Sequence, residues 1–223
     1  MIARTAILLL FLAVVSPPAR AQKDGGVSSV ASRFLLPSEI GEVRALRRVI
    51  VALGDSLPPV RAVQAARIDR IYCEAVRIAE GDPMRALFLC SIATLPYWEF
   101  PAVVPLAGWV IMVPVSTETH EEFLARLAAL PSLVLRDSKA GEDRDKLTHF
   151  FGSAWLACKL RSVPLVNLIG MLVEIGERLF KLEGAEDPRD LDAGRLGAAF
   201  GLALGRDADA LPSFVLCSEA SPK

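Results

Sequence analysis

Apolar residues in the first part of the chain recur every three or four positions. Ile40, Val43, Leu46, Ile50 and Leu53 form one stripe, with Arg44, Arg47 and Arg48 outside it, a spacing that predicts an amphipathic helix. Pro58-Pro59 interrupts it. A second helix follows, with Ile68, Ile71, Tyr72, Ala75, Val76 and Ala79 on one face and Arg70, Glu74 and Arg77 on the other, the charged residues spaced for weak surface pairing. Gly81-Asp82-Pro83 closes that helix and opens a third. Asp82 suits the N-cap and Pro83 the first turn. The third helix, from Met84 to Leu95, is apolar nearly all round and is expected to be buried.

The period then changes. Between Tyr97 and Val115 the chain carries Val103-Val104, a Leu106-Ala107-Gly108 turn and the run Trp109 to Val113, bounded by Pro101, Pro105 and Pro114. This reads as a short β-hairpin whose prolines confine it to edge positions. The rival expectation is a segment lying at a membrane surface through Trp98 and Trp109. Thr119-x-x-Glu122 has the form of a capping box. It opens a helix with Phe123, Leu127 and Leu130 inward, stopped by Pro131. After a polar loop from Ser138 to Arg144, three helices are expected, over roughly 143–160, 163–183 and 188–205. The fold class is therefore mainly α, a helical bundle with a small β-hairpin insertion. Residues 22–37 read as a linker, 38–137 as an N-terminal helical region and 138–223 as a C-terminal three-helix region.

The ends and the charge add an address. Arg4, the apolar run Ala6 to Val15, Pro17-Pro18 and Ala19-Arg20-Ala21 have the order of a secretory signal peptide over residues 1–21, with Gln22 as the new N-terminus. Removal of Arg4 and Arg20 takes the formal charge from −1 to −3, which gives no case for nucleic-acid binding, since that needs a concentrated basic surface. The expected location is the periplasm or cell envelope, and the partners left open are another envelope protein or a membrane surface. Cys73, Cys90, Cys158 and Cys217 would then enter an oxidising compartment. There an even count favours disulfides, with 73–90 and 158–217 the preferred pairing and free thiols the alternative.

The chemistry-bearing residues gather in the C-terminal region. Asp145, His149, Gly152 and Leu156 share a helical stripe, flanked by Lys146, Thr148 and Ser153. One reading is a ring oriented by Asp145, acting as general base or metal ligand. The plainer one is a helix N-terminus with acidic residues at its positive end and a histidine hydrogen-bonded for packing. On the next helix Glu174 lies deepest in the apolar part, while Glu177, Arg178 and Lys181 suit a solvated face. On the last, Asp187 fits the N-cap, Pro188 the first turn, and Asp190 the free amide groups. The candidate set is thus His149, Asp145, Glu174 and Asp190; no cofactor or metal is indicated by any motif. Gly194, Gly197, Gly201 and Gly205 form a stripe. Each sacrifices roughly 1 kcal/mol of helix propensity relative to alanine, which points to close helix packing. His120, among Glu118, Glu121 and Glu122, is expected at the surface.

The block D-K-L-T-H-F-F-G-S from Asp145 to Ser153, a glutamate on the next helix, and D-L-x-x-x-x-x-G-x-x-x-G from Asp190 to Gly201 resemble the YfiM-like family of bacterial envelope proteins. The small membrane proteins of the VanZ-like group share a similar D-K-x-x-H opening. The resemblance covers about the last third of the chain and implies a helical envelope protein, without supplying a reaction. Two departures stand out: no lipobox cysteine closes the signal-like run, and Gly194 occupies a place where a polar residue is expected. The function expected is that of an exported cell-envelope protein with a structural or interaction role. The alternative is an envelope hydrolase or metal-dependent enzyme built on His149 and its carboxylates, although no G-x-S-x-G, H-E-x-x-H or phosphate-cradling loop is present.

Overall fold

A computed structural model describes residues 35–54, 60–103, 110–114, 116–138, 143–162, 164–169 and 188–218. The signal-like segment and most of the linker, the expected Leu106-Ala107-Gly108 turn with Trp109, Glu174 with most of its predicted helix, and Asp187 lie outside the described residues.

The fold is mainly α-helical. Helix α1, Pro37–Ala52, starts with proline in its first turn, and the Glu39 carboxylate accepts the Leu36 N–H at 2.7 Å. It buries Val43, Leu46 and Ile50 as the stripe requires, and Arg47 as well. Helix α2, Arg61–Ile78, buries Ile68, Ile71, Tyr72 and Ala75, then turns through Glu80 and Gly81, both at positive φ. Helix α3, Pro83–Ala93, is capped by Asp82, which accepts from the N–H groups of Met84 and Arg85 at 2.9 and 3.1 Å. Its apolar perimeter makes it the hub of the fold, touching α1, α2 and α5. Here α5 denotes Lys146–Leu160.

Strands β1, Glu99–Val103, and β2, Val110–Pro114, run antiparallel with Glu99 opposite Pro114 and Val103 opposite Val110. The pair is two strands wide, so each has an unpaired edge where a proline N is harmless. Helix α4, His120–Ala129, opens on the capping box: the Glu122 N–H donates to Thr119 Oγ1 at 3.2 Å, and the Thr119 N–H to Glu122 Oε2 at 2.8 Å. Residues 164–169 are helical, and α6, Pro188–Leu204, is followed by the short α7, Pro212–Leu216. One continuous cluster of buried side chains reaches from Val43 in α1 to Leu216 in α7, with Phe150, Phe151 and Phe200 in it.

A buried ionic group fastens α1, α3 and α4, and it corrects the placement of Arg47 outside the apolar stripe. Arg47 donates to the Ile92 carbonyl at 3.3 Å, and Arg126 to those of Ala93 and Leu95 at 3.0 Å each. Both cations therefore serve the carbonyl-rich C-terminal end of α3, where positive charge is favoured. Glu118 lies between them, 2.7 Å from Arg126 Nε and 3.5 Å from Arg47 Nη1. Burial, aided by the Arg126 charge, pushes the Arg47 guanidinium down to about 10. Burial alone would raise the Glu118 carboxyl, but the Arg126 hydrogen bond and both guanidinium charges outweigh it and hold it below the usual carboxylate range.

The pairing of Cys73 with Cys90 and Cys158 with Cys217 does not form: all four thiols are free. Cys90 is fully enclosed in the α3 hub while Cys73 stands exposed on α2, and Cys217 is likewise exposed while Cys158 is half-buried. Enclosure in apolar surroundings pushes the Cys90 thiol well above its ordinary value.

Candidate functional site

The site forms where the first turns of α5 and α6 meet. Lys146, the first residue of α5, is almost fully buried, with a side chain 2 % exposed. A buried ammonium requires counter-charge and hydrogen-bond acceptors. Lys146 Nζ finds them in Asp145 Oδ2 at 2.9 Å and Asp190 Oδ1 at 2.7 Å. The same Asp190 oxygen lies 3.3 Å from His149 Nε2. His149 remains 24 % exposed and Asp190 12 %.

The geometry revises the roles expected of these residues. The carboxylate that faces the His149 ring is Asp190's, from the neighbouring helix, and Asp145 turns instead to Lys146. Spacing of four stacks two residues only inside a regular helix, and Asp145 stands at the α5 boundary with no side-chain capping bond. Asp190 is likewise more than a helix-capping residue, because its Oδ1 is shared between the buried ammonium and the imidazole. Asp145, His149 and Asp190 are thus brought together around Lys146. Glu174, the fourth candidate, falls outside the described residues.

A second clasp lies beside the first. Asp143 is fully buried, and its Oδ2 accepts from the N–H groups of Val134 and Leu135 at 3.0 and 2.9 Å and from the Ser138 hydroxyl. Arg189 Nη2 approaches Asp143 Oδ1 at 2.7 Å, a charge contact rather than an aligned hydrogen bond. It also donates to Ser138 Oγ at 3.1 Å and lies 3.3 Å from Asp137. The chain entering α5 is therefore tied to the start of α6 through two ion pairs. Lys146, Asp143 and Arg189 were not among the sequence candidates. Their signal was a set of charges standing immediately beside the apolar faces of two helices, where solvated residues have no reason to cluster.

Beyond the polar end the two helices press together. A Cβ placed on Gly197 would lie 2.0 Å from the Phe150 carbonyl oxygen, and one on Gly201 would lie 2.2 Å from that of Ala154. Lys146 meets Asp190, Phe150 meets Gly197 and Ala154 meets Gly201, so both helices ascend in the same direction. Gly194 meets only the Ser153 side chain, and Gly205 only the carbonyl of Leu202 in its own helix. Two of the four stripe glycines thus mark the backbone contact.

Chemically, the arrangement orients an imidazole against a carboxylate, the minimum for moving a proton at His149. Among the described residues no group of three or more His, Cys, Asp or Glu side chains is placed to hold a metal ion. Nor is any described helix long and apolar enough to cross a membrane. Comparisons with protein-family models, with curated proteins and with solved structures return no match.

Proposed function

We propose that this is an exported cell-envelope protein with a structural or interaction role, whose polar cluster fixes the C-terminal helices against each other. The supporting observation is the enclosure of Lys146 between Asp145 and Asp190. The charges at the helix junction are largely spent on one another, as in a fastening and unlike a site that awaits a charged substrate. The signal-like residues 1–21 and the likeness of Asp145–Ser153 and Asp190–Gly201 to YfiM-like envelope proteins support the location. Cell fractionation and N-terminal sequencing test it. Export with Gln22 as first residue is expected, and a cytoplasmic chain retaining Met1 would defeat it.

A second reading is kept because the His149 ring is a quarter exposed and faces Asp190. In it the pair acts as a base in an envelope hydrolase. His149→Ala separates the two. A fastening role entails a lower melting temperature or loss of partner binding. An unchanged stability with loss of an envelope reaction would favour the enzyme.

A further inference from the structure

Helix α7 is held rigidly from beneath. Pro212, Val215 and Leu216 are buried, and the Ser213 N–H donates to Asp69 Oδ1 on α2 at 2.8 Å. That seating turns Phe214 outward, 68 % exposed, although nothing in the core requires an aromatic there. Beside it is a shallow open depression whose apolar wall is Ala203, Ala210, Leu211 and Phe214 itself. On its rim stand Arg206, Asp207 and Asp209, all exposed. Asp207 Oδ1 accepts the Asp209 N–H at 3.0 Å in a short turn. An exposed aromatic beside an apolar hollow, ringed by charges of both signs, is a self-complementary surface. In a pair related by a two-fold axis, each contact between such patches is repeated in reverse.

We propose that this face is the interface of a homodimer. Phe214 of each copy seats in the hollow of the other, and Arg206 of each faces Asp207 and Asp209 across the axis. An aromatic anchor in an apolar pocket, with a charged rim that sets orientation, is the arrangement that concentrates binding energy in few residues. The occupant is a second copy rather than an unrelated partner because one patch, lined by residues between Ala203 and Cys217, carries the knob, the hollow and rim charges of both signs. The inference does not depend on where in the cell the protein resides.

Sedimentation of the chain as recovered from expressing cells tests it. At about 100 μM the protein should sediment at twice the chain mass, and Phe214→Asp should return it to the monomer with its helical circular dichroism unchanged. Arg206→Asp should weaken dimerisation by about tenfold or more, and adding Asp209→Arg to it should restore most of the loss. A wild-type chain that stays monomeric throughout, or a dimer indifferent to Phe214→Asp, overturns the proposal. So does a monomer that floats with lipid vesicles through Phe214, which would give the face to a membrane.

Discussion

The α-carbon of Gly197 sits so close to Phe150 that a methyl group there would come within 2.0 Å of its carbonyl oxygen. Backbone thus meets backbone along α5 and α6, with Gly201 repeating the contact on Ala154 one turn later. Two opposite outcomes follow from one chemical change. Gly197→Ala and Gly201→Ala should each destabilise the chain by about 3 kcal/mol, because the helices must separate and the phenylalanines beneath lose their packing. Gly41→Ala and Gly152→Ala, also in helices but with nothing within 4 Å, should be neutral or stabilising by up to about 1 kcal/mol. Urea unfolding of the four variants checks this. Equal effects would mean that the glycines matter only through propensity.

Glu118 gives the stability a signature in pH. Its carboxyl is held below the value of 4.5 that it has when free. Such a group stabilises the fold fully above its unfolded pKa, and the contribution disappears as pH falls through the folded one. The difference in melting temperature between wild type and Glu118→Gln should therefore be constant above about pH 5 and shrink steadily below it. Near neutrality the variant should lose about 3 kcal/mol, since the Arg47 and Arg126 guanidinium groups keep their burial and lose their counter-charge. A difference that grows on acidification would contradict the assignment.

The thiols are separable by exposure. Cys217 should be alkylated in the folded chain, Cys73 more slowly because partial burial and then Asp69 and Glu74 push its thiol up, while Cys90, enclosed in α3 with its thiol pushed up by burial, should react only on unfolding. Mass spectrometry with and without denaturant reads this directly. A chain with no alkylatable cysteine before reduction would show that disulfides form after all.

Arg189 and Asp143 should behave as a unit. Arg189→Ala leaves a fully buried carboxylate whose remaining partners are the Val134 and Leu135 amides and Ser138, and a loss of about 2–3 kcal/mol is expected. Hydrogen exchange should quicken at the Val134 and Leu135 amides in Asp143→Ala. Unchanged protection there would mean that Asp143 does not hold the loop.

What the sequence made legible was whatever depends on neighbours along the chain. The period of Val43, Leu46 and Ile50, the Asp82-Pro83 start and the Thr119/Glu122 box are local devices, and each appears where spacing put it. What it concealed was set by contacts between distant elements. Arg47 departs from the polar side of α1 because α3 ends beside it and offers the Ile92 carbonyl. Arg126 was readable in part: it stands three residues after Phe123, on the same inward face. Within the candidate site His149 stands beside Asp190. Its facing carboxylate was assigned to Asp145 because spacing within one helix is visible in sequence, whereas the register that brings Asp190 across from α6 is not.

The ammonium of Lys146 and the carboxylate of Asp190, 2.7 Å apart, fasten α5 to α6. A double-mutant cycle measures this most directly, with Lys146→Met, Asp190→Leu and the pair unfolded in urea. Each single change should lose about 3–5 kcal/mol by leaving a charge without its main partner, and the double variant should recover at least about 2 kcal/mol of the summed loss. Single variants that unfold at wild-type urea, or losses that simply add, would show that these two residues do not hold the helices together.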